Sequence, residues 1–63
     1  MTREQELDKM LQWAGAHLWK VELNMKTEKM EMLYMDVDNR VERSVGDNLE
    51  ECIRNAMQQE GEL

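Results

Sequence analysis

Few side chains in this chain could do chemistry: one histidine, His17, one cysteine, Cys52, and the acid pairs Asp36/Asp38 and Glu50/Glu51. A catalytic or metal-bound histidine needs partners that converge on it. The sequence offers no second histidine, no serine motif and no glycine-rich phosphate loop. His17 therefore reads as an amphipathic ring at the end of a helix, near the negative end of its dipole. Cys52 falls on a helical apolar stripe, where a thiol behaves as a small hydrophobe. Its neighbours Glu50, Glu51 and Arg54 do not supply the net positive field that would favour a thiolate. Acid–base work by paired carboxylates needs one of them desolvated, and Glu51 faces solvent by periodicity. Asp36-Val37-Asp38-Asn39-Arg40 begins like a calcium loop. That loop also needs an oxygen ligand at its fifth position, glycine at its sixth and glutamate at its twelfth. Those positions hold Arg40, Val41 and Asp47, so the segment reads as a strand end and turn. No metal, no cofactor and no enzymatic activity are expected.

Behind these residues lies a chain divided by periodicity, with no proline, repeat or low-complexity linker. Thr2 is a helix N-cap with Gln5 at the capping-box position. Leu7, Met10, Leu11, Ala14 and Leu18 follow at helical spacing, flanked by Trp13 and His17. They predict a first helix over residues 3–16, loosened by Gly15. Trp19, Val21, Leu23 and Met25 then alternate with Lys20, Glu22 and Asn24, as in a strand with one buried and one wet face. Lys26-Thr27-Glu28-Lys29 is a polar turn. Residues 30–37 form a second strand that is apolar on both sides, with Leu33, Met35 and Val37 on one and Met30, Met32 and Tyr34 on the other. Asp38-Asn39 can form a tight turn. Residues 40–45 give a third strand with Val41, Arg43 and Val45 on one face. Gly46 ends it, Asp47 caps a second helix with Glu50 three residues on, and Gly61 stops that helix after Glu60. Leu49, Cys52, Ile53, Ala56 and Met57 make its stripe. The expected fold is α+β: a single domain over 1–63, ordered α-β-β-β-α, with a three-stranded antiparallel meander flanked by two helices.

The double-sided second strand points to a surface. If one sheet face is open, it shows either Met30, Met32 and Tyr34 or the leucine set, an apolar stripe of the kind that marks partner sites. Trp19, on the strictly alternating strand, is expected in the core, and Trp13, off the stripe centre, at an interface rim.

The charge narrows the partners. Fourteen Asp and Glu against eight Lys and Arg give −6, which argues against direct nucleic-acid binding through phosphate neutralisation. The acids serve solubility, steer the chain towards a basic surface, or imitate phosphates. Asp36, Asp38, Glu42, Asp47 and Glu51 are the candidates for such an acidic face. No window approaches the roughly 18 apolar residues of a membrane span. The first residues carry no apolar signal core, and a lone cysteine suits a reducing cytoplasm. A 63-residue chain buries only about 60% of its unfolded surface. One cysteine cannot make an intrachain disulfide, so a homodimer or a permanent partner is expected.

The segment Val45-Gly46-Asp47-Asn48-Leu49-Glu50-Glu51-Cys52-Ile53-Arg54-Asn55-Ala56-Met57, entered from the meander, resembles the end of two groups. One is the HicB-like antitoxin fold, where a strand leads into a similar capped helix. The other is a small α-β-α sandwich domain of phage proteins, which also begins with a helix and a Trp-containing strand. HicB-type antitoxins usually carry a separate DNA-binding segment, and no part of this chain is basic enough to match it. The phage resemblance implies an accessory protein of a phage or mobile element that inhibits a host defence protein by surface occlusion, as anti-CRISPR proteins do. The antitoxin resemblance implies a domain that neutralises a basic toxin. A structural homodimer or small virion component is the third expectation.

Overall fold

The computed structural model describes residues 2–63. Its elements are α1 (Arg3–His17), β1 (Leu18–Asn24), β2 (Lys29–Met35), β3 (Val41–Gly46) and α2 (Leu49–Gln59). The strands form one antiparallel sheet in the order β1-β2-β3. The α-β-β-β-α meander expected from periodicity is the fold.

Residues directly opposite across antiparallel strands share a sheet face. The register therefore places Val21, Met32 and Ser44 on one face with Leu23, Met30 and Gly46, and with Leu18, Tyr34 and Glu42. Met32, Tyr34 and Ser44 are fully buried, together with Met10, Trp13 and Ala14 of α1 and Cys52, Ile53, Ala56 and Met57 of α2. Both helices thus lie on this one face. Among the described residues no helix lies on the opposite face.

Each helix is fixed by its ends. In α1, Gln5 N–H donates to Thr2 Oγ1 (3.2 Å) and Thr2 N–H donates to Gln5 Oε1 (3.0 Å), a complete capping box. The helix runs through Gly15 to His17 and passes straight into β1 at Leu18. In α2 the cap is Asn48, whose Oδ1 accepts from Glu51 N–H at 2.8 Å. Asp47, the cap expected from the sequence, sits one residue too early and instead pairs with Lys29. At the far end, Gly61 adopts φ 76, its N–H donates to the Gln58 carbonyl, and Glu62 N–H donates to the Met57 carbonyl. This is a Schellman closure, and only glycine takes that backbone freely. Arg3–Glu50 and Glu6–Arg54 ion pairs join the two helices side by side.

Asn24 organises the first turn by accepting the N–H groups of Lys26 and Thr27 on its Oδ1, with Glu28 left-handed at φ 59. The second strand ends at Met35, so Val37 belongs to the second turn and not to β2. That turn closes on Asp36, whose Oδ1 accepts from Asp38 N–H (2.8 Å) and Arg40 N–H (2.9 Å), with Asn39 left-handed at φ 61. Gly46 lies inside β3. A Cβ there would meet Cys52 N and Glu51 Cβ at 3.0 Å, so glycine is what lets α2 start this close to the strand.

Candidate functional site

The methionine face of β2 is core. Met32 and Tyr34 are 0% and 1% exposed, and Met30 is half-buried against the core cluster. The two helices cover that face, which removes Met30, Met32 and Tyr34 as an accessible partner stripe. Trp13 moves inward as well. Its ring stacks on His17 at 4.8 Å and meets Tyr34 edge-on at 5.2 Å. The buried residues of α1 are therefore Met10, Trp13 and Ala14, with His17 half-buried beside them, a stripe rotated away from Leu11, which is exposed. Trp19 makes the opposite exchange and is 61% exposed. The register slips between Leu18 and Lys20, leaving Trp19 as the extra residue of a β-bulge and breaking the alternation that predicted its burial.

The groups with chemical potential are tied up structurally. His17 Nδ1 lies 2.7 Å from the Met35 carbonyl. A carbonyl can only accept, so this nitrogen carries the proton. Cys52 is buried, and desolvation and then the charge of Glu51 push its thiol up. Its Sγ donates to the Met30 carbonyl at 3.2 Å, and Ser44 Oγ donates to the Cys52 carbonyl at 2.7 Å. The Tyr34 hydroxyl donates to Gln59 Oε1 at 3.0 Å. Burial, reinforced by Glu60 and Glu42, raises its pKa to about 12. Among the described residues no three His, Cys, Asp or Glu side chains are placed to hold a metal ion.

The five acids expected to share one surface do not converge. Glu42 pairs across the sheet with Tyr34, at the same end as the Asp36 turn. Asp47 and Glu51 lie beyond Gly46, which pairs with Met30 at the other end. Gly46 lies four residues along the strand from Glu42, roughly 13 Å. Asp36 holds its turn, and Asp47 is paired with Lys29. Asp38 and Glu42 remain exposed.

What the structure leaves open is the other sheet face. There Lys20, Leu33 and Arg43 lie in one row, Glu22, Glu31 and Val45 in the next, and Met35 faces Val41. The "leucine set" of β2 is thus the open one, joined by the Val41, Arg43 and Val45 face of β3. Val41 and Val45 are exposed, and Leu33 and Met35 are half-buried. Lys20 pairs with Glu22 at 2.7 Å and Arg43 with Glu31 at 3.5 Å, so these four charges cancel on a chain of −6. Residues 41, 43 and 45 were legible as one face in the sequence. Its closeness to Leu33 and Met35 needed the register. No family model, curated protein or solved structure matches this chain.

Proposed function

We propose that this protein is a small non-enzymatic binding protein that works by covering a surface of another protein, with the open sheet face as the contact. One observation carries the reading: Leu33, Met35, Val41 and Val45 form an apolar band on a face that has no helical layer. Residual apolar faces of this kind suit protein partners, and charge cancellation on this face lowers the desolvation and repulsion that a −6 chain would otherwise meet. The resemblance of residues 45–57 to a phage domain makes the partner class a host protein, a defence component in its sharpest form, met in the cytoplasm. Phosphate imitation and neutralisation of a basic toxin would both use acids gathered on one surface. The separation of Glu42 from Asp47 favours the apolar contact over either.

The test is capture of a partner from lysate of the host, followed by variants. Leu33→Asp and Val41→Asp should abolish a one-to-one complex while Asp38→Lys and Glu42→Lys leave it. No stoichiometric partner, or a partner retained by the Leu33 and Val41 variants and lost with the acid reversals, overturns the reading.

A further inference from the structure

The backbone directions of the sheet show which edge is free. Asp36 N–H donates to the Arg40 carbonyl at 2.9 Å, so 36/40 is a hydrogen-bonded pair. Such pairs alternate along an antiparallel ladder. Tyr34/Glu42, Met32/Ser44 and Met30/Gly46 are then hydrogen-bonded pairs, and Val41, Arg43 and Val45 point their backbone groups outward. The Val45 carbonyl accordingly accepts from Asn55 Nδ2 at 3.0 Å, from outside the sheet. The α2 side chain thus blunts the β3 edge. In β2 the alternate residues Lys29, Glu31 and Leu33 turn to β1 and bond Asn24, Glu22 and Lys20. Val21 and Leu23 are left with their N–H and C=O groups directed out of the sheet.

Among the described residues no side chain hydrogen-bonds to the outer backbone of β1. Val21 is 38% and Leu23 59% exposed. A seven-residue edge strand without proline is a template for another strand.

We propose that β1 pairs antiparallel with β1 of a second copy of this chain, on a two-fold axis through Val21, giving a continuous six-stranded sheet. The strand's own charges select both the occupant and the register. Centred on Val21, the two valines form a hydrogen-bonded pair. Lys20 then lies opposite Glu22 of the second copy, and Glu22 opposite Lys20 of the second copy. These are non-hydrogen-bonded positions, where side chains approach most closely. Leu23 comes alongside Trp19 of the second copy. Centring on Glu22 would oppose two like carboxylates, and centring on Leu23 would leave Lys20 without a facing acid. The Val21 register alone makes a −6 chain self-complementary along its edge.

The axis stands normal to the sheet, so both open faces end on the same side. One copy offers three strands, roughly 14 Å wide by 20 Å long, short of the roughly 800 Å² per partner of a standard protein interface. Two copies double that platform. The dimer does not depend on the binding role proposed above, and its test reads self-association alone.

That test is sedimentation equilibrium of the whole chain and of charge variants. Wild type should show a concentration-dependent monomer–dimer equilibrium. Lys20→Glu or Glu22→Lys alone should raise the dimer dissociation constant about tenfold or more, since each creates two like-charge contacts. The double swap Lys20→Glu/Glu22→Lys should restore wild-type affinity. A mixture of the two single variants should form heterodimers, because every facing pair is then opposite in sign. Val21→Pro, which removes an outward N–H and no β1–β2 bond, should give a monomer with an unchanged far-ultraviolet spectrum. Wild type that stays monomeric at millimolar concentration overturns the proposal and leaves the edge to a foreign strand. So does a dimer indifferent to the charge swaps, which would be built on another surface.

Discussion

Met32 and Leu33 are neighbours in β2 that face opposite ways, and truncating each to alanine measures which face is core. Met32 is fully buried beneath the helices, and Leu33 is half-buried on the open face. Removing a buried methionine side chain costs about 2–5 kcal/mol, from lost transfer energy plus an unfilled cavity. A 63-residue domain has about 3–9 kcal/mol of stability in total, so Met32→Ala should lose a large share of it. Leu33→Ala, which empties a half-solvated site and leaves no enclosed cavity, should cost about 1 kcal/mol. Small domains unfold with urea slopes near 1 kcal/mol per molar. The Met32 variant's midpoint should therefore fall by roughly 2 M or more, and the Leu33 variant's by roughly 1 M. Urea denaturation followed by tryptophan fluorescence at equal protein concentration makes the comparison. Equal losses at the two positions would refute the one-sided packing, because both faces would then be covered.

Further outcomes follow from single positions. Gly15 sits in the exposed interior of α1, where an added methyl group would meet no described atom within 4 Å, so Gly15→Ala should stabilise by about 0.5–1 kcal/mol in thermal melts. Asn48→Ala should cost about 1 kcal/mol through loss of the α2 cap. Asp47→Ala, which removes only an exposed ion pair, should change urea midpoints little. The raised pKa of Tyr34, about 12 when folded against about 10 unfolded, makes stability full below pH 10. Stability then falls as the pH rises, losing about 2–3 kcal/mol by the time the folded-state group titrates. The chain has one tyrosine, so absorbance at 295 nm follows it directly, and Tyr34→Phe should abolish that alkaline loss.

Periodicity carried the order of elements because each element is long enough for its apolar spacing to declare itself. Thr2 with Gln5, and Gly61, marked helix ends through local chemistry that needs no tertiary partner. Local spacing does not report which side of a double-sided strand the helices choose. Met32 and Leu33 are equally apolar, and only the joint placement of α1 and α2 decides between them. The Trp19 bulge was invisible for a related reason: one extra residue inverts which of Trp19 and Leu18 shares a face with Val21. Asp47 and Asn48 are both good caps, and the choice fell to the residue whose Oδ1 reaches Glu51 N–H. The acids misled through distance. Asp36, Glu42 and Asp47 are close in sequence, yet an extended strand carries its two ends apart.

The charge distribution ties the open face to the free edge. A chain of −6 resists meeting a second copy over most of its surface, and the Debye length near 10 Å at 0.1 M salt leaves that resistance acting across a small interface. On the open face that resistance is relieved at Lys20, Glu22, Glu31 and Arg43, where two cations and two anions cancel. Lys20 and Glu22 belong at once to the open face, through their row partners Leu33 and Glu31, and to the edge, through their place on either side of Val21. The same pair that neutralises the face within one copy can be shared across the edge by two, at no cost in net charge. In the proposed dimer, self-association and a wider binding platform would draw on one small set of side chains. The net acidity of the rest of the chain opposes association through its other surfaces.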